Sequence, residues 1–88
     1  MNEAQDKVKQ AANPVEAQLT AIFEKHLETH PIGTDENILR AGYDSLKLFV
    51  AFDTIEKHFK MKLDLNSFVA NPTIEELASI ITRHQKAN

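Results

Sequence analysis

The 88-residue sequence has no cysteine, two glycines and three prolines. Without cysteine there can be no disulfides and no thiolate metal site, and any thioester chemistry on this chain needs a thiol from a cofactor. So few helix breakers, alongside a hydrophobic content of 42%, argue against a disordered chain. Runs of β-branched residues are scarce while Ala, Leu, Glu and Lys are plentiful, which points to an all-α fold. No apolar run approaches the roughly 20 residues that span a bilayer. No secretory pattern follows Met1, so the expectation is a cytoplasmic protein without a membrane partner. A basic excess is missing as well: the formal net charge of −3 gives no support for nucleic-acid binding. The length suits one domain with a core of its own.

What is present is a succession of amphipathic segments. Residues 1–13 hold Val8 as their only strong apolar anchor besides Met1, and we expect a flexible tail there with little tertiary packing. A first helix begins with Asn13 at the N-cap, Pro14 at the first helical position and Glu16 in capping-box spacing. Val15, Leu19, Ile22, Phe23 and Leu27 form its buried stripe, and Pro31 stops it near residues 28–30. The connection from Pro31 to Asp44 is long for a compact domain, a sign of a functional or tied-down loop. Ile32, Ile38 and Leu39 are expected to pin it across the core, with a short helical turn over 36–39. Beyond Phe59, Asn66–Ala70 reads as a short helix. Thr73 and Glu76 form a second capping box ahead of a final amphipathic helix carrying Ile74, Leu77, Ala78 and Ile81 and ending near Arg83–His84. The domain is expected over 14–85, with a C-terminal tail over 86–88. The initial Met1 and the plain ending QKAN favour a discrete protein.

The stretch that organises the chain is GYDSLKLFVAFDTIEKHF, Gly42 to Phe59. Gly42 punctuates, and Asp44 and Ser45 suit the edge of a helix start. At helical spacing Leu48, Ala51, Phe52, Ile55 and Phe59 share one arc, the buried stripe. Opposite lie Leu46, Val50, Asp53 and Lys57, with Phe49 at the flank. The half of this outer face nearest Ser45 is apolar where a small soluble domain normally keeps it polar, so a serine at a helix start carries an apolar collar.

Gly42-Tyr43-Asp44-Ser45-Leu46-Lys47 resembles the attachment motif of the acyl and peptidyl carrier proteins. The likeness extends over roughly Val15 to Arg83. Leu63-Asp64-Leu65, Phe68 and the run Asn71 to Ala78 are similar to the tail of a peptidyl carrier domain, at the family's spacing from Ser45. One departure is Ala41, where the family usually has a large apolar residue before the motif glycine; Ile38, Leu39 or Tyr43 are candidates to fill that space.

The resemblance implies a four-helix carrier bundle: three long helices, a short third helix, and a long loop between the first two. It implies that Ser45 holds a 4′-phosphopantetheine arm taken from coenzyme A, whose thiol carries acyl or aminoacyl intermediates as thioesters. Asp44 is either an ordinary acid at a helix start or, as the family implies, a contact with the modifying synthase and its magnesium. The implied partners are a phosphopantetheinyl transferase, a loading enzyme and downstream synthase or transferase enzymes, acting on a monomeric carrier that catalyses nothing itself. Leu46, Phe49 and Val50 are the expected docking patch, against the alternative that one of them, Phe49 above all, folds inward. Helix II mixes Lys47, Asp53, Glu56, Lys57 and His58, and Val50 sits where fatty-acid carriers often have an acid. That resembles carriers of polyketide or nonribosomal peptide assembly lines.

Other constellations carry less. His26 and His30 stand one turn apart, but Leu27-Glu28-Thr29 between them does not make the HExxH zinc pattern, and exposed histidines are the plain reading. Asp35 and Glu36 lack the spacing of paired-acid catalysis, and Ser45 has no sequence-local histidine. The rival from another class is a non-carrier helical adaptor, with Ser45 a mere cap and the Leu46/Phe49/Val50 patch binding a partner protein. A small helical DNA-binding domain is disfavoured by the charge.

Overall fold

The computed structural model describes residues 9–28, 31–40 and 45–87, and among these the only regular elements are four α-helices. They are α1 (Pro14–Leu27), α2 (Ser45–Phe59), α3 (Leu65–Ala70) and α4 (Ile74–Ala87). Three of the starts show a chemical cause. At α1 the Asn13 side chain accepts from the Glu16 amide at 2.9 Å, with Pro14 following at a position where its missing N–H is no loss. The Glu16 carboxylate reaches back one residue further than a standard capping box, to the Ala12 amide at 2.9 Å. Asp64 caps α3 through the Asn66 amide and the Ser67 hydroxyl. The Thr73 hydroxyl accepts from the Glu76 amide at the start of α4.

α1 packs against both α2 and α4. The core combines Leu19, Phe23 and Leu27 of α1 with Ala51, Phe52 and Ile55 of α2 and Ile74, Leu77, Ala78 and Ile81 of α4, closed by Ile32, Ile38 and Phe68. Phe68 is the single buried residue of α3 and its anchor. Its ring lies 6.3 Å from Phe23, nearly parallel, and 5.5 Å from Phe52, tilted, so one side chain fastens α3 to α1 and α2 together.

The long loop is tied along its length. The Glu24 carboxylate accepts from the Ile32 amide, Glu36 accepts from Gly33, and the Ile38 amide donates 2.9 Å to the Pro72 carbonyl. Thr34 is fully buried and bonded on every side: its amide to the Lys9 carbonyl, its carbonyl to the Glu75 amide, its hydroxyl to the Glu75 carboxylate. Lys9 also pairs with Glu75 through its ammonium. The described part of the N-terminal segment, residues 9–13, is thus exposed but tied at Lys9 to the loop and to α4. Residues 1–8 lie outside the described residues.

Several expectations are corrected. Residues 36–39 form no helical turn; the loop bends instead at 34–36 and again at 38–40. Leu39 does not pin the loop but is 42% exposed. Ile38 is drawn inward by its bond to Pro72 while the Arg40 amide closes a turn on Asn37, so the residue between them faces out. Phe59 is only partly buried, because it ends α2 and nothing beyond it continues the stripe. α4 runs past Arg83–His84 to Ala87, since Gln85, Lys86 and Ala87 are good helix formers with no glycine or proline to stop them.

Candidate functional site

Ser45 is the first residue of α2 and is exposed. Backbone amides at the start of a helix lack intrahelical acceptors, and the helix dipole adds positive potential, so this end favours an anion. The first turn of α2 contains no acidic residue to compete for it. Lys47 in that turn is engaged 2.9 Å from the Glu28 carboxylate at the C-terminus of α1, an exposed pair that braces the two helix ends side by side. Glu28 adopts a left-handed backbone (φ 56°) as the C-cap of α1, which breaks the helix there. Gly42, Tyr43 and Asp44 lie outside the described residues, so the reading of Asp44, and the question of what fills the space near Ala41, carry no geometry.

The three residues expected to form a patch are all on the surface. Leu46 is 72%, Phe49 63% and Val50 48% exposed, so the alternative that Phe49 folds inward does not hold. The patch is wider than the sequence suggested. Leu39, Leu65 and Val69 are exposed apolar residues as well. Between α2 and α3 lies an open, almost wholly apolar cleft of about 140 Å³. Leu48, Phe49 and Phe52 wall it on one side, Leu65, Phe68 and Val69 on the other, and Ser45 and Leu39 also line it. Phe49, Phe52 and Leu65 line a second cleft with Leu63, Asp53 and Glu56, so Phe49 separates two depressions.

Spacing alone did not signal the α3 contribution: Leu65 is three residues from Phe68 and four from Val69, so helical indexing does not decide which of them it accompanies.

His26 is half-buried rather than exposed, with Nε2 3.2 Å from the Thr54 hydroxyl across the α1–α2 seam. Thr54 donates to the Val50 carbonyl, which leaves its oxygen to accept from a ring N–H. His58 Nε2 similarly meets Gln18 Oε1 at 2.6 Å. His30 lies outside the described residues. Among the described residues no group of three or more His, Cys, Asp or Glu side chains is placed to hold a metal ion, and no helix is long and apolar enough to cross a membrane.

Comparison with known proteins places this arrangement. Residues 17–81 match the family described as phosphopantetheine attachment site. The chain is similar to part of a plipastatin synthase of Bacillus subtilis, 39% identical over 69 residues that are 78% of this chain and 2% of that protein. It is similar to part of tyrocidine synthase 2 of Brevibacillus parabrevis, 34% identical over 76 residues, 86% of this chain and 2% of that protein. The chain thus spans about one-fiftieth of the length of these relatives. Among solved structures it is similar to an active-site mutant peptidyl carrier protein in solution, with 28% identity, a TM-score of 0.77, and coverage of 88% of this chain and 84% of that one. A chain in the complex of the phosphopantetheine transferase Sfp with coenzyme A and a peptidyl carrier protein matches with 29% identity and the same TM-score, covering 86% and 97%.

Proposed function

The chain belongs to the phosphopantetheine attachment family, and from that premise we propose that it is a carrier of nonribosomal-peptide type whose arm is joined to Ser45. The observation that carries the assignment to Ser45 is its position: an exposed residue at the very start of α2, beside an apolar cleft. These residues fit a 4′-phosphopantetheine group, since the start of α2 suits its phosphodiester and Ser45 is exposed among the described residues. When bound, the group supplies a terminal thiol that holds acyl or aminoacyl cargo as a thioester. The work of this chain is to present, orient and be recognised; it performs no catalysis of its own.

Attachment requires a phosphopantetheinyl transferase. The Ser45 oxygen forms a bond to the pantetheine-side phosphorus of coenzyme A, the pyrophosphate linkage breaks, adenosine 3′,5′-bisphosphate leaves, and the hydroxyl proton is given up. Asp44, immediately before Ser45, keeps its two readings, an acid at the helix start or a contact with the transferase and its magnesium. Leu46, Phe49 and Val50, joined by Leu39, Leu65 and Val69, form the surface on which loading and downstream enzymes dock; an exposed apolar patch of this kind marks an interaction site. The carrier works as a cytoplasmic monomer that meets these enzymes in turn. The likeness to peptide synthases in 78–86% of the chain favours aminoacyl or peptidyl cargo.

The test is intact-mass spectrometry after incubation with coenzyme A and a broad-specificity transferase. The parent gains the mass of one phosphopantetheine, and Ser45→Ala stays folded and gains none. A parent that gains nothing would favour the adaptor reading, in which the patch alone is functional.

A further inference from the structure

The junction of Lys9, Thr34 and Glu75 lies away from the attachment serine and is not used by anything above. Thr34 is a fully buried polar residue whose amide, carbonyl and hydroxyl are each satisfied by a different group. The amide partner is the Lys9 carbonyl at 3.1 Å, twenty-five residues earlier in sequence. The carbonyl and hydroxyl partners belong to Glu75 in the first turn of α4. Lys9 then closes the ring by pairing its ammonium with the same Glu75 oxygen that the Thr34 hydroxyl uses. If the segment at Lys9 lifts, a buried amide loses its acceptor and Glu75 loses its cation, so the junction closes or opens as a unit. Thr34 begins the bends that carry the loop across the core to Ile38, which is tied to Pro72. The described loop ends at Arg40, five residues before Ser45.

We propose that residues 9–13 act as a strap, and that its closure on Thr34 and Glu75 sets the order of residues 31–40 and, with it, the presentation of Ser45 to the transferase. Whatever grips or releases the N-terminal segment then changes how readily Ser45 is modified. The strap itself stands on the junction; its effect on loading rests on the reading of Ser45 as the attachment residue.

The test uses the full chain with Lys9→Glu, which sets two carboxylates against each other, and with Lys9→Arg, which keeps a cation there and leaves Glu75 to accept from the Thr34 hydroxyl. Two quantities are read: amide hydrogen exchange at Thr34, with Phe23 and Ile55 as core references, and the rate at which the transferase loads Ser45. Lys9→Glu is expected to speed Thr34 exchange about threefold or more, with the core amides unchanged, and to slow loading by a similar factor; Lys9→Arg leaves both near the parent's values. Thr34 exchange unaffected by Lys9→Glu overturns the strap. Faster Thr34 exchange with an unaltered loading rate overturns its coupling to Ser45. A parent chain that is never loaded overturns the attachment reading instead, and the exchange result still decides whether the strap is closed.

Discussion

At the scale of single residues, Phe68 and Phe59 make opposite demands. Phe68 is fully buried against Phe23 and Phe52, so Phe68→Ala leaves a cavity where three elements meet and should cost about 3–5 kcal/mol, against a total of roughly 5–15 kcal/mol for a domain of this kind. Phe59 is half-buried at the end of α2, where its edge is covered by the His58 ring at 4.9 Å, and Phe59→Ala should cost only about 1–2 kcal/mol. Thermal melts of the two variants check the order; an equal drop would place Phe59 in the core after all. Helical indexing put Phe59 on the apolar arc of α2, but it cannot tell the middle of a stripe from its end, where no further turn remains to cover the ring. The same indexing read the outer face correctly. Val50 is half-exposed beside Leu46 and Phe49, so Val50→Glu should change stability by no more than about 0.5 kcal/mol and leave Ser45 modifiable. A carboxylate there must be desolvated without a partner when an enzyme docks, so transfer should weaken. Unfolding by Val50→Glu would move the docking patch elsewhere.

At the scale of elements, the ends of the helices are the testable joints. Asn13 accepts from the Glu16 amide, and Asn13→Ala should lower stability by about 1 kcal/mol, read as a melting shift of roughly 4–8 °C for a domain of this size. No shift would mean that Pro14 and the Glu16–Ala12 bond suffice to start α1. Both features were visible in the sequence, because caps are local: Asn, Pro and Glu act on amides within a turn of themselves. The long loop was less legible. Ile32 and Ile38 announced themselves as apolar residues in a polar stretch, yet Leu39 beside them faces solvent. That outcome depends on the bond from Ile38 to Pro72, thirty-four residues away, which no local pattern encodes. α3 was legible as an element through its place between Asp64 and Asn71, but its contribution to the surface patch had to wait for Phe68 to be placed.

At the scale of the whole molecule, the N-terminal segment, the loop and α4 meet at a charged junction that gives stability a pH dependence. The hydrogen bond from Lys9 holds the Glu75 carboxyl below its ordinary value of 4.5, burial opposing and the Lys9 charge and Thr34 assisting. The bond to Glu75 holds the Lys9 ammonium above its ordinary 10.5. A lowered carboxyl stabilises the fold above its unfolded value and loses that contribution as pH falls through the native one; a raised ammonium stabilises below its unfolded value and loses it as pH rises through the native one. The stability gap between the parent and Glu75→Gln should thus be widest and flat between about pH 5 and pH 10 and narrow on either side. Denaturant titrations across that range check it, and a gap that does not vary with pH would contradict the pairing. This junction was hidden from the sequence because its three residues are far apart along the chain, and Lys9 looked like part of a polar tail. Ser45, the proposed attachment residue, was the opposite case, since its motif, its place at a helix start and the apolar Leu46, Phe49 and Val50 lie within a few residues of one another.

The central claim, that the arm is carried by Ser45, is tested most directly by mapping the modification in the loaded chain. The sequence holds three serines: Ser45 at the start of α2, Ser67 bonded to Asp64 within α3, and Ser79 on the exposed side of α4. Proteolysis of the transferase-treated protein followed by tandem mass spectrometry should find the phosphopantetheine on the peptide containing Ser45, with fragment ions confining it to that residue. Recovery of the group on Ser67 or Ser79, with Ser45 unmodified, would contradict the account.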